Sequence, residues 1–283
     1  MDPAIALQLF SVKEGLQKDL SGTLEQVAAI GYRNVEPFTH ISADGLTFGK
    51  AVSAADMRKL LDRFGLRAVS CHFVPMPGMD LDKVLADLNT LGVDSLACAI
   101  AFFEDRTGVL DFCTRFSVIA EACKKHGVQL YYHNHYHEFQ VFGDKSVYEL
   151  MIEYMDAELV KFELDTYWAV RAGQDPIYWL KKLGSRCDLL HQKDLPAGLS
   201  PVNLFEKIGY DARLAMDTMW GGQDPGQFTE IGEGVLTIPG ILAASRKYNH
   251  ARYIIVEQDQ TTRTELESIA LSFANLTRLL AAA

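Results

Sequence analysis

Residues Ser53–Phe73 read SAADMRKLLDRFGLRAVSCHF, and this one stretch holds a complete structural repeat. Met57, Leu60, Leu61 and Phe64 fall at i, i+3, i+4 and i+7, which sets them on one face of a helix over Ala54–Phe64. Ser53 stands before that helix as its N-cap, where a hydroxyl accepts a backbone N–H that no carbonyl can reach. Gly65 follows as the stop, because a chain leaving a helix in the left-handed conformation is strained by any Cβ. Arg67–Phe73 then runs as a short, largely apolar segment, the pattern of a parallel strand buried on both faces.

The same unit recurs in both directions along the chain. Strands are expected at Ile5–Phe10, Asn34–Phe38, Arg67–Phe73, Ser95–Ala101, Gln129–His133, Val160–Asp165, Asp188–His191 and Tyr253–Gln258. Between them, helices are expected at Thr23–Ile30, Leu81–Leu91, Asp111–His126, Ser146–Tyr154, Pro176–Leu183, Ile238–Tyr248 and Thr264–Leu280. Gly31, Gly92, Gly127 and Gly184 repeat the stop before the next strand. Strands alternating with helices eight times over make an α/β fold, a (β/α)8 TIM barrel, the natural closure. The 283 residues suit one such domain spanning 1–283. The irregular part is an insertion at about 196–236, after the seventh strand and over the barrel mouth. It should hold an extra helix (Pro201–Ile208), an extra strand (Arg213–Met216) and the glycine-rich stretch Gly221–Gly234.

Composition narrows the function classes. A net charge of −10 lacks the basic stripe that nucleic-acid phosphates require, so no nucleic-acid partner is expected. No apolar run reaches the ~20 residues of a membrane span, and MDPAIALQLF lacks the basic and apolar regions of a signal peptide. Five cysteines, Cys71, Cys98, Cys113, Cys123 and Cys187, are odd in number and form no CxxC pair. They read as reduced core residues of a cytoplasmic protein.

Active sites of TIM barrels lie at the C-terminal ends of the strands, and here nearly every strand ends in a group that can bind a metal or move a proton. The first presents Gln8, the second Glu36, the third His72. The fifth runs into HNHYHEF with His133, Asn134, His135, His137 and Glu138. The sixth ends in Glu163 and Asp165, the seventh in His191, Lys193 and Asp194, the eighth in Glu257 and Asp259. A lone histidine there is more often a hydrogen-bonded structural residue. Many carboxylates and imidazoles in one barrel mouth carry a desolvation cost that a cation offsets, and carboxylate with imidazole suits a divalent metal. Trp168, Tyr167 and Phe139 are either lining for a sugar or ordinary packing. The GGQDPG stretch lacks the strand, helix and lysine spacing of a phosphate cradle.

At these residues the chain resembles the xylose-isomerase-like TIM-barrel superfamily, the sugar phosphate isomerase/epimerase group. That group also includes inosose and 3-dehydroshikimate dehydratases, 3-keto-glycoside lyases and endonuclease-four-type repair nucleases. The likeness runs through LQLFSVKEGLQKD, GYRNVEPF, YYHNHYHEF, ELDTYWAVRAGQDP, LLHQKDL, IGEGVLTIPGIL and YIIVEQD, essentially the whole chain. It implies one Mn, Co, Mg, Fe or Zn ion held by a strand-five carboxylate, then Asp165, His191 and Glu257. His133 stands where relatives carry Glu. Either His133 is the ligand, or Glu138 curls back to bind and His133 becomes an acid/base; a third carboxylate favours Glu138.

The expected chemistry is a Lewis-acid ion polarising a ketone and stabilising the enediolate left by proton removal. The base is His133 or Glu257, with Lys193 assisting. His72, His135, Lys193, Trp168 and Glu36 are the candidate substrate-binding or ligand-orienting residues. The leading expectation is a metal-dependent isomerase or epimerase of a keto sugar, a small-molecule partner. A lyase or dehydratase on a 3-keto-glycoside or inosose, and a silent sugar-binding or partner subunit, are the alternatives. A repair nuclease disagrees with the acidic charge. Pairing into a homo-oligomer through the insertion is left open.

Overall fold

Parallel strands buried on both faces need helices outside and packed side chains inside, and the chain supplies both. The computed structural model describes residues 2–42, 45–49, 51–216 and 224–282. Its strands in chain order are β1 (Ala4–Gln8), β2 (Asn34–Glu36), β3 (His40–Ser42), β4 (Gly45–Phe48), β5 (Val52–Ser53), β6 (Arg67–Ala68) and β7 (Cys71–Phe73). There follow β8 (Ser95–Cys98), β9 (Gln129–His133), β10 (Val141–Phe142), β11 (Lys145–Ser146), β12 (Val160–Asp165), β13 (Leu189–Gln192) and β14 (Tyr253–Val256). The main sheet is parallel, in the order β6-β2-β1-β14-β13-β12-β9-β8-β7.

The two ends of that order are halves of one strand. Val69 N–H reaches Val35 O at 3.0 Å and His72 N–H reaches Pro37 O at 2.9 Å, so the third strand pairs with the second across its interruption and the sheet closes. This is the (β/α)8 barrel that the repeat implies, in a single domain. β9 and β12 have the expected bounds, and most of the other strands stop two or three residues early, where the backbone turns into the mouth.

The helices are α1 (Lys13–Lys18), α2 (Leu20–Ile30), α3 (Ala54–Arg63), α4 (Leu81–Leu91), α5 (Arg106–Lys125), α6 (Val147–Tyr154), α7 (Thr166–Arg171), α8 (Pro176–Leu183), α9 (Phe205–Ile208), α10 (Ile238–Tyr248) and α11 (Glu265–Ala282). Ser53 Oγ accepts the Asp56 N–H at 3.2 Å, and α3 buries Met57 and Leu61 against the barrel. Gly65 takes φ +66°, the left-handed conformation its position demands. All five cysteines are buried and free. No helix among the described residues is long and apolar enough to cross a membrane.

Segment 196–236 departs from expectation in two respects. The helix expected at Pro201–Ile208 covers only Phe205–Ile208, and residues 212–215 have no regular structure, so the strand expected at Arg213–Met216 is absent. Of the glycine-rich stretch, residues 221–223 lie outside the described residues. The return of the segment is organised by Asp194, whose carboxylate accepts the N–H groups of Leu195, Gly232, Gly234 and Leu236 at 2.8–3.2 Å. Gly234 has to be glycine, because a Cβ there would stand 2.3 Å from Asp194 Oδ1.

Inside the barrel, side chains alternate along each strand between the lumen and the helix layer. Ala6, Val69, Ala97, Tyr131, Leu189 and Ile255 form an apolar floor. One step further toward the C-terminal ends, the lumen becomes polar.

Candidate active site

The polar layer follows from the register. Gln8 pairs with Glu36, Glu163 with His133, and Asp165 with His191, so neighbouring strands deliver these side chains at matching heights. All of them, with Lys193, Glu257 and Asp259, are buried. His191 uses both ring nitrogens: Nδ1 lies 2.8 Å from Glu257 Oε2, and Nε2 lies 2.7 Å from Glu36 Oε2 and 3.3 Å from Glu163 Oε2. Gln8 donates to the same Glu36 oxygen at 2.8 Å. His72 stacks on His191 with ring centroids 5.0 Å apart, and its Nε2 contacts Glu163 at 2.7 Å. His133 Nδ1 is 3.4 Å from Glu163 without the alignment of a hydrogen bond. Lys193 Nζ contacts Asp165 Oδ2 at 2.5 Å, touches Glu257 Oε2, and lies 3.5 Å from Asp259 Oδ2.

Burial would strip the proton from His191, but Glu163, Glu257 and Glu36 outweigh it and hold the ring well above the usual histidine range. Lys193 is held up the same way, against its burial, by Asp165, Asp259 and Glu257. Burial and the neighbouring His191 pull His133 down to about 3, so it is neutral and free to act as a ligand. His135 is pushed well below the histidine range by burial, then by His133 and His137. Burial raises Asp259 to about 7.

These residues fit a divalent cation. Single donor atoms of His133, Asp165, His191 and Glu257 all come within 4.8 Å of one another, and a second such group comprises His72, His133, Glu163 and His191. Buried oxygens of Glu36, Glu163 and Asp259 accept no hydrogen bond, which marks a lumen richer in negative charge than its own donors satisfy. The first group, two imidazoles and two carboxylates, is a donor set for Mn, Fe, Co or Zn.

Glu138 is not brought to that group. Its Oε1 accepts the Tyr132 hydroxyl at 2.8 Å, its Oε2 accepts the His135 N–H at 2.8 Å, and its donor group is completed by His135 and His137. The reason is strand alternation: Tyr132 faces the helix layer, packing on Phe112 and Phe116, while His133 faces the lumen. A carboxylate committed to Tyr132 lies on the wrong face of β9. Of the two strand-five alternatives, His133 is the residue the geometry groups with Asp165, His191 and Glu257.

The mouth opens into a cavity of about 220 Å³. Phe10, Phe38, Phe73 and Ile100 line it together with His72, His133, His135, Glu257 and Asp259. Trp168 does not line it. It is 1 % exposed, its ring packed on His135, Tyr136, Tyr167 and Phe228. Lys193 is likewise enclosed behind Asp165 and Glu257 rather than lining the cavity. Glu36 stands behind His191. Two residues central to the geometry, Glu163 and Asp259, carry little signal as motifs. The period of two did hold them: Glu163 precedes Asp165, and Asp259 follows Glu257, by one full pleat.

Comparison with known proteins agrees with this architecture. An inosose dehydratase of Mesomycoplasma hyopneumoniae strain 7448 is 31 % identical over 143 residues, 50 % of this chain and 43 % of that protein. The chain thus spans less than half the length of the curated relatives it matches. A sugar phosphate isomerase/epimerase from Parabacteroides distasonis superimposes with a TM-score of 0.76 at 25 % identity, covering 98 % of this chain and 94 % of that one. The IOLI protein, solved with a zinc atom, shares the fold at a TM-score of 0.65 and 15 % identity, covering 99 % and 98 %. The family model described as xylose isomerase-like TIM barrel matches residues 24–275. The chain belongs to the xylose isomerase-like TIM barrel family.

Proposed function

We propose that the chain is a divalent-metal-dependent isomerase or epimerase of an unphosphorylated keto sugar. The observation that carries this reading is the donor group His133, Asp165, His191 and Glu257, two of whose members, His133 and Glu257, line a small cavity that also holds aromatic and ionisable side chains. Bound by those four residues, a divalent ion supplies Lewis acidity to a ketone oxygen and its neighbouring hydroxyl. Zinc in the IOLI protein and the isomerase/epimerase relative support the assignment.

The chain's own residues do the rest. Glu36 accepts from His191 Nε2 and so fixes the ring with Nδ1 toward Glu257. Asp165 Oδ1 caps the Trp168 N–H at 2.8 Å, which turns Oδ2 to the lumen. Phe10 and Phe38, edge to face at 5.5 Å, exclude water and pack against the C–H face of a sugar ring. Glu257 lines the cavity and takes the proton from the carbon beside the ketone, while His135, held neutral by its burial, hydrogen-bonds a substrate oxygen. Return to the other face gives epimerisation, and return to the neighbouring carbon gives isomerisation. Among the described residues no lysine or arginine lines this cavity, while Glu257 and Asp259 do, which disfavours a phosphorylated substrate.

A second reading, elimination from an inosose or a 3-keto-glycoside, draws on the inosose dehydratase relatives. Incubating the Mn²⁺-loaded protein with unphosphorylated ketohexoses, an inosose and a 3-keto-glycoside in D₂O distinguishes the two by NMR. Deuterium on the carbon beside the ketone, with an epimer or isomer formed, supports the first reading. Loss of water or of an aglycone supports the second. Absence of any exchange with every substrate would sink both.

A further inference from the structure

Lys193 sits on the oxygens that the metal reading above assigns to the ion. Asp165 has one oxygen to offer: Oδ1 is committed to the Trp168 N–H, and Oδ2 is 2.5 Å from the lysine Nζ. Glu257 Oε2 is shared between the same Nζ and His191 Nδ1. An ammonium and a divalent ion cannot both occupy that ground, because each would be pressed against the other's charge at contact distance. Lys193 is fully buried, so its amine cannot swing into solvent. Leaving it unpaired in the barrel would carry the cost of a lone buried charge. One further anion lies in reach. Asp259 Oδ2 is 3.5 Å from Nζ, buried, and accepts no hydrogen bond from any group.

We propose that Lys193 is a tethered counterion holding the metal site while it is empty, and that Asp259 is the acceptor onto which its ammonium moves when a divalent ion takes Asp165 and Glu257. This rests on the metal reading and goes beyond it, since it assigns Asp259 to positioning Lys193 rather than to the ion or the substrate. The shift needed is small, from 2.5 Å on one carboxylate to hydrogen-bond distance from another now at 3.5 Å. Metal affinity is then set partly by the difference between two resting places of one lysine.

The test is a double-mutant cycle on Mn²⁺ binding, read by the EPR signal of the free ion, in wild type, D259N, K193M and D259N/K193M. D259N should weaken binding about tenfold in the Lys193 background and less than about twofold in the K193M background. K193M alone should bind Mn²⁺ more tightly than wild type. Equal weakening by D259N in both backgrounds overturns the proposal. Should K193M fail to fold by circular dichroism, a crystal structure of Mn²⁺-bound wild type decides: Nζ on Asp259 supports the exchange, and Nζ still on Asp165 overturns it. A wild type that takes up neither Mn²⁺ nor Zn²⁺ removes the metal reading itself, and the exchange with it.

Discussion

His133 and Glu138 are five residues apart, both able to bind a cation, and the expected preference fell on Glu138 for its charge. What separates them is the face of β9 each belongs to. His133 points into the lumen beside Glu163 and His191, whereas the 3-10 turn His137–Phe139 folds Glu138 back under Tyr132. His133→Ala should therefore reduce bound metal from about one ion per chain to near zero, a loss of at least ~100-fold in affinity, since a ligand matters more than the groups behind it. Glu138→Gln can still accept the His135 N–H with its amide oxygen while its NH2 donates to the Tyr132 hydroxyl, and should retain the ion. Elemental analysis of both purified variants checks this, and retention by H133A with loss in E138Q would reverse the assignment. Asp165, His191 and Glu257 were legible as polar groups at the ends of apolar strands, and as ligands only through the family resemblance. The turn after β9 was not, since no periodicity encodes a reversal of three residues.

Several helices were read closely, but a cap was no guarantee: α5 starts at Arg106 behind Asp105, five residues before the expected start, and α7, capped by Asp165, was missed. Leu81–Leu91, Pro176–Leu183 and Ile238–Tyr248 match expectation residue for residue, the first two each with an aspartate N-cap. The sheet β3–β5 and the hairpin β10–β11 are two to four residues per strand, too short for a period of two to stand out. Helix α6 has the strongest local signature, a capping box. Ser146 Oγ accepts the Glu149 N–H at 3.2 Å, and Glu149 Oε2 accepts the Ser146 N–H at 3.1 Å. Ser146→Ala should cost about 1 kcal/mol, which denaturant unfolding at pH 7 would register as a lower midpoint at unchanged slope. Partial burial of Glu149 opposes its ionisation, but the bonds from Ser146 and Lys182 win and lower its pKa. A carboxyl that ionises more readily folded than unfolded contributes fully above the unfolded value, about 4.3, and loses that contribution as pH falls through the folded one. The stability deficit of Glu149→Gln should accordingly be present at pH 7 and fade as the pH falls below the unfolded value and through the lower folded one. A deficit unchanged across that range would mean the ionised carboxylate contributes nothing.

At the scale of the molecule, the barrel separates stability from chemistry along its axis. Tyr131 and His133 share the inward face of β9, one pleat apart, about 7 Å, yet they belong to different layers. Tyr131 closes the floor. Its hydroxyl donates to Asp188 Oδ1 at 2.8 Å and accepts from Arg252 at 3.0 Å, while Lys161 reaches Asp188 Oδ2 at 2.7 Å and Arg252 Nε lies 3.4 Å from it. One carboxylate thus organises a tyrosine, a lysine and an arginine from two strands and the turn before β14. None of these groups reaches the donor set above, because the floor layer of Ala6, Val69, Ala97, Leu189 and Ile255 stands between. Asp188→Ala strands the tyrosine hydroxyl and leaves two cations facing each other, half-exposed, so the cost should be about 1–3 kcal/mol. For a chain of this size each kcal/mol lowers the melting temperature by roughly 2–4 °C. The same variant should bind Mn²⁺ within about twofold of wild type, since ligand geometry is fixed by β12, β13 and the residues after β14 at the opposite end. Thermal unfolding and a Mn²⁺ titration on one preparation measure both quantities. A lower melting temperature with unchanged affinity is the outcome the layering requires. Affinity falling in step with stability would mean that floor and mouth are mechanically one unit, and that the metal site depends on how tightly the barrel is closed beneath it.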